Sequence, residues 1–361
     1  MASFDPEPTI KTLEVAGDSF TMGRQLGRAM GQFMHAQLSA SAKWQKVQSL
    51  RTSSACRAME QASLRHFPHL VREIEGLAAG AEMPFEVVFA WQCRYELQDL
   101  ESEAGAEGCT TLACPSSYGS LVAHNEDAMA LYHGHCWWVH AHPDEGLAYR
   151  GFHYPGAICG NCFSVNQAGI VHSTNHIAAK PRSEGLPRQI VVRAAVNSPS
   201  LEELVALLQR PDRASGCHHT VAQVGRGMLL SIEAPTTGCS VRVVERPYAH
   251  SNHLIHKSMA GIPQHVGESS PARQRRADAL LARLPQEPKI GQLLEILSDQ
   301  SQGPLSLYRN DMHDPDQTAC VATATFEVGK ESVNWYIYVD PRQPPLFHGA
   351  QNGSFEVKDG G

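Results

Sequence analysis

Glu107-Gly108-Cys109-Thr110-Thr111, followed after a short interval by His124-Asn125-Glu126-Asp127, is the stretch on which the reading of this chain turns. A glycine ahead of a cysteine removes side-chain bulk beside the carbonyl that an internal thiol must reach. Attack by that thiol transfers the acyl group from nitrogen to sulfur, and hydrolysis of the thioester leaves the cysteine with a free α-amine. Such an amine has a reference pKa of about 8, so near neutral pH it serves as general base for its own thiol. One residue then carries nucleophile and base together. Most free cysteines are inert small hydrophobes in cores, so Cys109 needs support from the rest of the chain.

The character of the sequence changes across this point. Before it, residues 9–16 read as a short strand, and the segment from about 19 to 80 is helical in period. Met22, Leu26 and Met30, then Met34 and Leu38, recur at four, and Leu70, Ile74, Leu77 and Ala78 at three to four. A further short helix runs from Val87 to Arg94. After Glu103 come short strand-like runs at 109–113, 120–124, 136–140, 147–153, 162–166, 170–174, 219–224, 228–233 and 240–245. Ser200 with Glu203 forms a capping-box signal for a helix through Leu208. Helices follow at 274–284 and 291–299, then a loop over 301–318 and two tail strands at 320–328 and 333–339. A helical first third and a strand-rich remainder point to an α+β protein of stacked sheets covered by helices.

The bulk properties exclude several classes. At 361 residues the chain is long enough for one large domain or two, and its 42% hydrophobic and 19% charged content is that of an ordinary globular protein. A net charge of −7 with no basic stripe gives no support for nucleic-acid or anionic-membrane partners. The opening MASFDPEPTIKTLEV lacks the basic and apolar regions of a signal peptide, and no stretch approaches about 18 continuous apolar residues. The ten cysteines read as reduced thiols, and the expected location is cytoplasmic. No Walker or Rossmann glycine pattern and no GxSxG elbow occurs, so neither a nucleotide cofactor nor a serine nucleophile is implied.

Two similar segments, Ser173-Thr174-Asn175-His176 and His250-Ser251-Asn252-His253, each follow a strand-like run and offer a carboxamide suited to donate to an oxyanion. An asparagine in a turn after a strand is the alternative. Cys159-Gly160-Asn161-Cys162 and Cys217-His218-His219 are the tightest Cys/His clusters, but no second pair stands at zinc-site distance, so no metal is expected. His133 and His135 beside Trp137 and Trp138 read as an aromatic strand packed into the core. Arg188 and Arg193 are candidates to hold a substrate carboxylate, with salt bridges as the alternative.

Taken in order, several motifs resemble the acyl-CoA:6-aminopenicillanate (isopenicillin N) acyltransferase family of self-processing N-terminal-nucleophile cysteine hydrolases, to which the insect N-β-alanyldopamine hydrolases are similar. They are Met22 to Gly27, Phe67-Pro68, Glu75 to Gly80 and Arg94-Tyr95-Glu96. Gly108 to Thr111, Asn125-Glu126-Asp127, Asn166 to Ile170, Leu186-Pro187-Arg188 and Ser251-Asn252-His253 continue the series. The resemblance implies a four-layer αββα fold, cleavage between Gly108 and Cys109, and an α chain of 1–108 that stays with a β chain of 109–361. It implies Cys109 as nucleophile, Asp127 as the orienting acid, Asn252 as oxyanion donor and Asn175 as a second polar group, with Thr110, Thr111 and Asn125 in support. One departure stands out: the family's late arginine has no counterpart in Thr318 to Thr325. The expected activity is hydrolysis or transfer of the acyl group of a small N-acyl amine, or of an acyl-CoA-type donor, through acyl-Cys109. The rival readings are a catalytically silent binding protein of the same fold and a Cys–His hydrolase that never cuts itself.

Overall fold

A computed structural model describes residues 9–98, 108–160, 162–311, 318–352 and 357–359. Glu107 and Asn161, both singled out above, lie outside these residues, as do 312–317 of the expected loop. Strand β1 (Lys11–Gly17) leads into helices α1 (Ser19–Phe33), α2 (Ala42–Ser49), α3 (Ser54–His66), α4 (Pro68–Gly80), α5 (Phe85–Gln92) and α6 (Arg94–Leu97). Asp18, Ser41 and Ser53 cap the first three by accepting from the backbone N–H three residues on.

Strands follow at β2 (Thr110–Ser116), β3 (Gly119–Met129), β4 (Trp137–Pro143), β5 (Tyr149–His153), β6 (Phe163–Asn166) and β7 (Ile170–Ile177). Helices α7 (Arg188–Val196) and α8 (Leu201–Leu208) precede β8 (Gly216–Gln223), β9 (Leu229–Ala234), β10 (Ser240–Val243) and β11 (Tyr248–His250). Then come α9 (Ser269–Leu281), α10 (Ile290–Leu297), β12 (Thr318–Val328), β13 (Ser332–Tyr338), β14 (Phe347–Asn352) and β15 (Val357–Asp359). Three of these differ from the sequence expectation. Helix α7 was not expected, the tail holds four strands instead of two, and Asn175 lies inside β7, not in a turn after it.

The strands form an eight-stranded sheet in the order β1-β4-β5-β6-β7-β8-β9-β10 and a seven-stranded sheet in the order β11-β2-β3-β12-β13-β14-β15. Among the described strands only the β1–β4 pair is parallel. The sheets face each other through aromatic contacts, Trp138 to Trp335 at 5.3 Å between ring centroids and Phe163 to Phe326 at 6.3 Å. Helices close both outer faces. Asn166 Nδ2 donates to the carbonyls of Val196, the last residue of α7, and of Ser198 just past it, fixing that helix to the first sheet. On the other side, Leu112, Ala123 and Ala249 pack under Ala277, Leu281, Leu293 and Leu297 of α9 and α10. Helix, sheet, sheet, helix is therefore the layer order. Because both faces of each sheet are covered, strands such as β7 are buried at every residue and lose the alternating pattern of a half-exposed strand.

The N-terminal helices are tied into this sandwich. Helices α1 and α4 approach so closely that a Cβ on Gly23 would stand 1.9 Å from the Glu73 carbonyl oxygen, and one on Gly76 2.0 Å from that of Phe20. Glycine is required at both positions by backbone proximity. Gln92 of α5 donates to the Gly156 carbonyl and accepts from Ile158 N–H, reaching from the first segment into the second. Among the described residues no helix is long and apolar enough to cross a membrane. None of the ten cysteines is in a disulfide.

Candidate active site

Strands β2 and β3 pair with Thr110 opposite Asn125 and Thr111 opposite His124, so Cys109, just ahead of β2, lies beside Glu126 and Asp127. Opposite those two carboxylates, β12 carries an irregularity between Cys320 and Ala322 that bends the ladder at this point. Successive residues of a strand point to opposite faces. Glu126 consequently points to one side of β3 with His124, and Asp127 to the other with Asn125.

On the first side, Cys109 Sγ donates to Glu126 Oε2 at 3.3 Å. The same oxygen lies 2.8 Å from His124 Nε2, and Tyr154 Oη donates to Oε1 at 2.5 Å. His124 Nδ1 lies 2.8 Å from Thr111 Oγ1, whose proton goes to Asn175 Oδ1 at 2.7 Å. Asn175 Nδ2 donates to the His250 carbonyl at 3.1 Å.

On the second side, Arg273 of α9 reaches under the Cys109 peptide. Its Nη1 donates to the Cys109 carbonyl and to Thr110 Oγ1, both at 2.7 Å, its Nη2 to Asn252 Oδ1 at 2.7 Å, and its Nε to Ser269 Oγ at 3.1 Å. Asn252 Nδ2 donates to the His176 carbonyl. A Cβ on Gly108 would stand 2.9 Å from Arg273 Nη2 and 3.5 Å from Asp127 Oδ2, which gives a second physical reason for glycine there. Gly108 N–H donates to the Asp127 backbone carbonyl at 3.3 Å.

The electrostatics of the two faces differ from those of solvent-exposed groups. Cys109 is 3% exposed. Burial pushes its thiol pKa well above the ordinary range, Glu126 and Asp127 push it further, and Arg188 opposes them. Asp127 is fully buried, and neither carboxylate oxygen finds a hydrogen-bond partner in good geometry. Burial raises its pKa to about 7, although Arg273 and Arg309 pull it down. These two arginines supply positive charge to the site even though Thr318 to Thr325 contains none.

The structure thus brings together Gly108, Cys109, Thr110, Thr111, Asp127, Asn175 and Asn252, with Arg188 close enough to favour the thiolate. It separates two others. Asn125 clamps the outer layer instead, donating to the carbonyls of Leu297 and Leu307 at 2.8 Å each and accepting from Thr323. Arg193 does not reach the site: its guanidinium is held by Glu73 through Nε at 3.2 and 3.1 Å and Nη2 at 3.0 Å, joining α7 to α4. The sequence reading gave no role to Glu126, His124, Tyr154 or Arg273. Strand alternation is the signal that could have separated Glu126 from Asp127, whereas Arg273 stands 164 positions from Cys109 with no local pattern to mark it.

Among the described residues, two groups of three His, Cys or acidic side chains have their potential ligand atoms within 4.8 Å of one another: Cys109, His124 and Glu126 at this site, and Glu14, His140 and His142 at the β1 edge. In the first group the thiol and imidazole already serve Glu126. Cys159 and Cys162, flagged for their spacing, are both buried, and no disulfide joins them. His218 bonds Ser231, and His219 bonds His172.

The sequence pattern of the family described as "Acyl-coenzyme A:6-aminopenicillanic acid acyl-transferase" matches residues 115–342, more than half of the chain, starting just past Cys109. A "Beta-alanyl-dopamine/carcinine hydrolase" of Drosophila melanogaster is 30% identical over 159 residues, which cover 40% of this chain and 41% of that protein. The match therefore spans less than half of that relative's length. Among solved structures, a conjugated bile acid hydrolase from Clostridium perfringens, as its C2A mutant, superposes with a TM-score of 0.42 and 11% identity, covering 70% of this chain and 96% of that one. Penicillin V acylase from Agrobacterium tumefaciens superposes with a TM-score of 0.35 and 8% identity, covering 72% and 90%.

Proposed function

The chain belongs to the acyl-coenzyme A:6-aminopenicillanic acid acyl-transferase family, and from that premise we propose that it is a self-cleaving amide hydrolase or acyltransferase with Cys109 as its nucleophile. Cleavage between Gly108 and Cys109 frees the α-amine of Cys109. The observation that carries this reading is Asp127: a fully buried carboxylate with neither oxygen in a hydrogen bond of good geometry, beside the Gly108–Cys109 backbone. A buried charge without a partner is costly. The α-ammonium released by cleavage would supply the missing donor at that spot.

In the processed enzyme the amine, oriented by Asp127, takes the Cys109 proton while Sγ attacks the carbonyl of a small N-acyl amine. Asn252, steered by Arg273 through its Oδ1, turns its Nδ2 from the His176 carbonyl to the developing oxyanion. Collapse passes the proton to the leaving amine and leaves acyl-Cys109, which water resolves in a hydrolase and a second amine in an acyltransferase. Arg188 stands where it would attract an anionic substrate group. The relative's name, a β-alanyl amide hydrolase, favours hydrolysis of small N-acyl amines, as does the lack of an arginine in Thr318 to Thr325. The two pieces, 1–108 and 109–361, stay together through the Glu73–Arg193 ion pair and the shared core.

Electrophoresis under denaturing conditions with intact mass, wild type beside Cys109→Ala, tests the reading. Two fragments of about 12 and 28 kDa, judged from chain length, with Cys109 as the new N-terminus and an intact variant, are expected. Turnover of N-β-alanyl and other N-acyl amines would follow, measured against acyl-CoA donors. The contact of Cys109 with Glu126 and His124 favours a second reading, a cysteine hydrolase acting as one uncut chain. Activity in an intact chain that disappears in His124→Ala would select it.

A further inference from the structure

Self-cleavage poses a problem that turnover does not: before the cut, the nitrogen of Cys109 is an amide and cannot accept a proton. We propose that Glu126, paired with His124, is the general base that deprotonates Cys109 in the uncut chain, and that Thr111 and Asn175 hold His124 in the state this requires. The proposal rests on the self-cleavage reading above and assigns a separate base to its first step.

The hydrogen-bond directions carry the argument. Asn175 Nδ2 faces the His250 carbonyl, which fixes the amide orientation and makes Oδ1 the atom facing Thr111. An amide oxygen only accepts, so Thr111 must donate its single proton to it. His218 Nδ1 also lies 3.3 Å from the same oxygen. With its proton spent on Asn175, Thr111 Oγ1 can only accept from His124, so His124 carries a proton on Nδ1. His124 Nε2 and Glu126 Oε2, 2.8 Å apart, then share one proton between them.

This arrangement takes up the thiol proton wherever the shared proton starts. If it rests on Nε2, the carboxylate accepts directly from Sγ at 3.3 Å. If it rests on Glu126, it moves to Nε2 as the thiol proton arrives. Both routes end with thiolate, neutral carboxylic acid and imidazolium, and Tyr154 stays donated to Oε1. The thiolate forms the S–C bond to the Gly108 carbonyl carbon. Collapse of the oxyanion breaks the C–N bond, and Glu126 returns its proton to the departing nitrogen. The products are the Gly108–Cys109 thioester and the free amine; water then hydrolyses the thioester to the Gly108 carboxylate and the thiol. Glu126 touches the reacting sulfur and is catalytic, while His124, Thr111 and Asn175 act as positioning residues.

The test follows self-cleavage of the full chain over time by intact mass between pH 5 and 10, for wild type, Glu126→Gln, Glu126→Asp, Thr111→Val and Thr111→Ser. Melting temperature is recorded for each to show that it is folded. Wild type must cleave; if it does not, the function proposed above fails and this inference with it. Given wild-type cleavage, Glu126→Gln is expected to cleave about 10²-fold or more slowly, with a rate that climbs about tenfold per pH unit as hydroxide replaces the lost base. Glu126→Asp recovers part of the rate. Thr111→Val slows cleavage and steepens its pH dependence, and Thr111→Ser restores both. A folded Glu126→Gln chain that cleaves within about threefold of wild type with the same pH profile overturns the inference while leaving the proposed function standing. So does one that stays uncut at every pH, because a missing base alone would be made good by hydroxide.

Discussion

Two carboxylates buried in this molecule are treated in opposite ways. Glu73 on α4 meets the guanidinium of Arg193 through three contacts of 3.0 to 3.2 Å, and both groups are almost fully buried. Asp127 on β3 is equally buried and lies near Arg273 and Arg309, yet neither of its oxygens has a hydrogen bond of good geometry, and the Cys320 thiol beside it lowers its pKa only weakly. Arg273 spends its donors on the Cys109 carbonyl, Thr110, Asn252 and Ser269. A charge with a complete set of partners holds elements together. A charge kept beside cations but short of well-placed donors has room for another, and the Cys109 amine is the group that the proposed cleavage would deliver there. Proximity to an arginine therefore does not distinguish structure from function; the donor inventory does.

The largest effect that sharpens this contrast is on turnover. Asp127→Asn keeps the volume and removes the charge that would hold the ammonium, so kcat is expected to fall about 10²-fold or more while self-cleavage continues. Wild-type turnover in that variant would break the assignment. Next comes stability at the other carboxylate. Glu73→Gln leaves Arg193 buried and uncompensated, a loss of about 3–5 kcal/mol, most of which Glu73→Gln with Arg193→Met should recover in denaturant melts. Cleavage by the folded protein is expected to be unaffected in both. A smaller loss, about 1–3 kcal/mol, is expected for Gly23→Ala, whose methyl group would press on the Glu73 backbone and shift α4 under Arg193. If Gly23→Ala melts with wild type, the α1–α4 contact is looser than its distances say.

These residues also show what a single sequence can and cannot disclose. Helices α1 and α4 were legible because they have one apolar face each, with Met22, Leu26 and Met30 on the first and Leu70, Ile74 and Leu77 on the second. Helix α7 was not, because all nine of its residues are buried and no polar face marks the period. Strands β14 and β15 escaped notice at the edge of the second sheet, where Phe347–Asn352 carries little of the β-branched signature. At the site, the Gly-Cys step and Asp127 were visible as local motifs. The two readings of Arg193, substrate carboxylate or salt bridge, stayed open for the reason Arg273 was missed: what a charge does depends on its partner. Those partners lie 120 positions away at Glu73 and 164 at Cys109, and only the fold names them.

The smallest effect is the most specific to Asp127, and it concerns pH. In a chain kept whole by Cys109→Ala, the carboxyl has a pKa raised from 3.8 to about 7. The folded state therefore holds a proton that the unfolded state releases, and stability falls as pH rises between about 4 and 7, then levels off. Asn has no proton to lose and shows no such fall. Adding Asp127→Asn to Cys109→Ala is thus expected to leave Tm unchanged near pH 4 and to raise it by a few degrees at pH 8, about 2–4 °C for each kcal/mol regained. In the processed enzyme the sign reverses. There the ammonium of Cys109 faces the carboxylate, the folded-state pKa drops, and Asp127→Asn lowers Tm at pH 7 and above. Calorimetric melts of both backgrounds at pH 4, 6 and 8 decide the matter. A change of the same sign in cut and uncut protein would mean that Asp127 never meets the new N-terminus, and the contrast with Glu73 would lose its functional meaning.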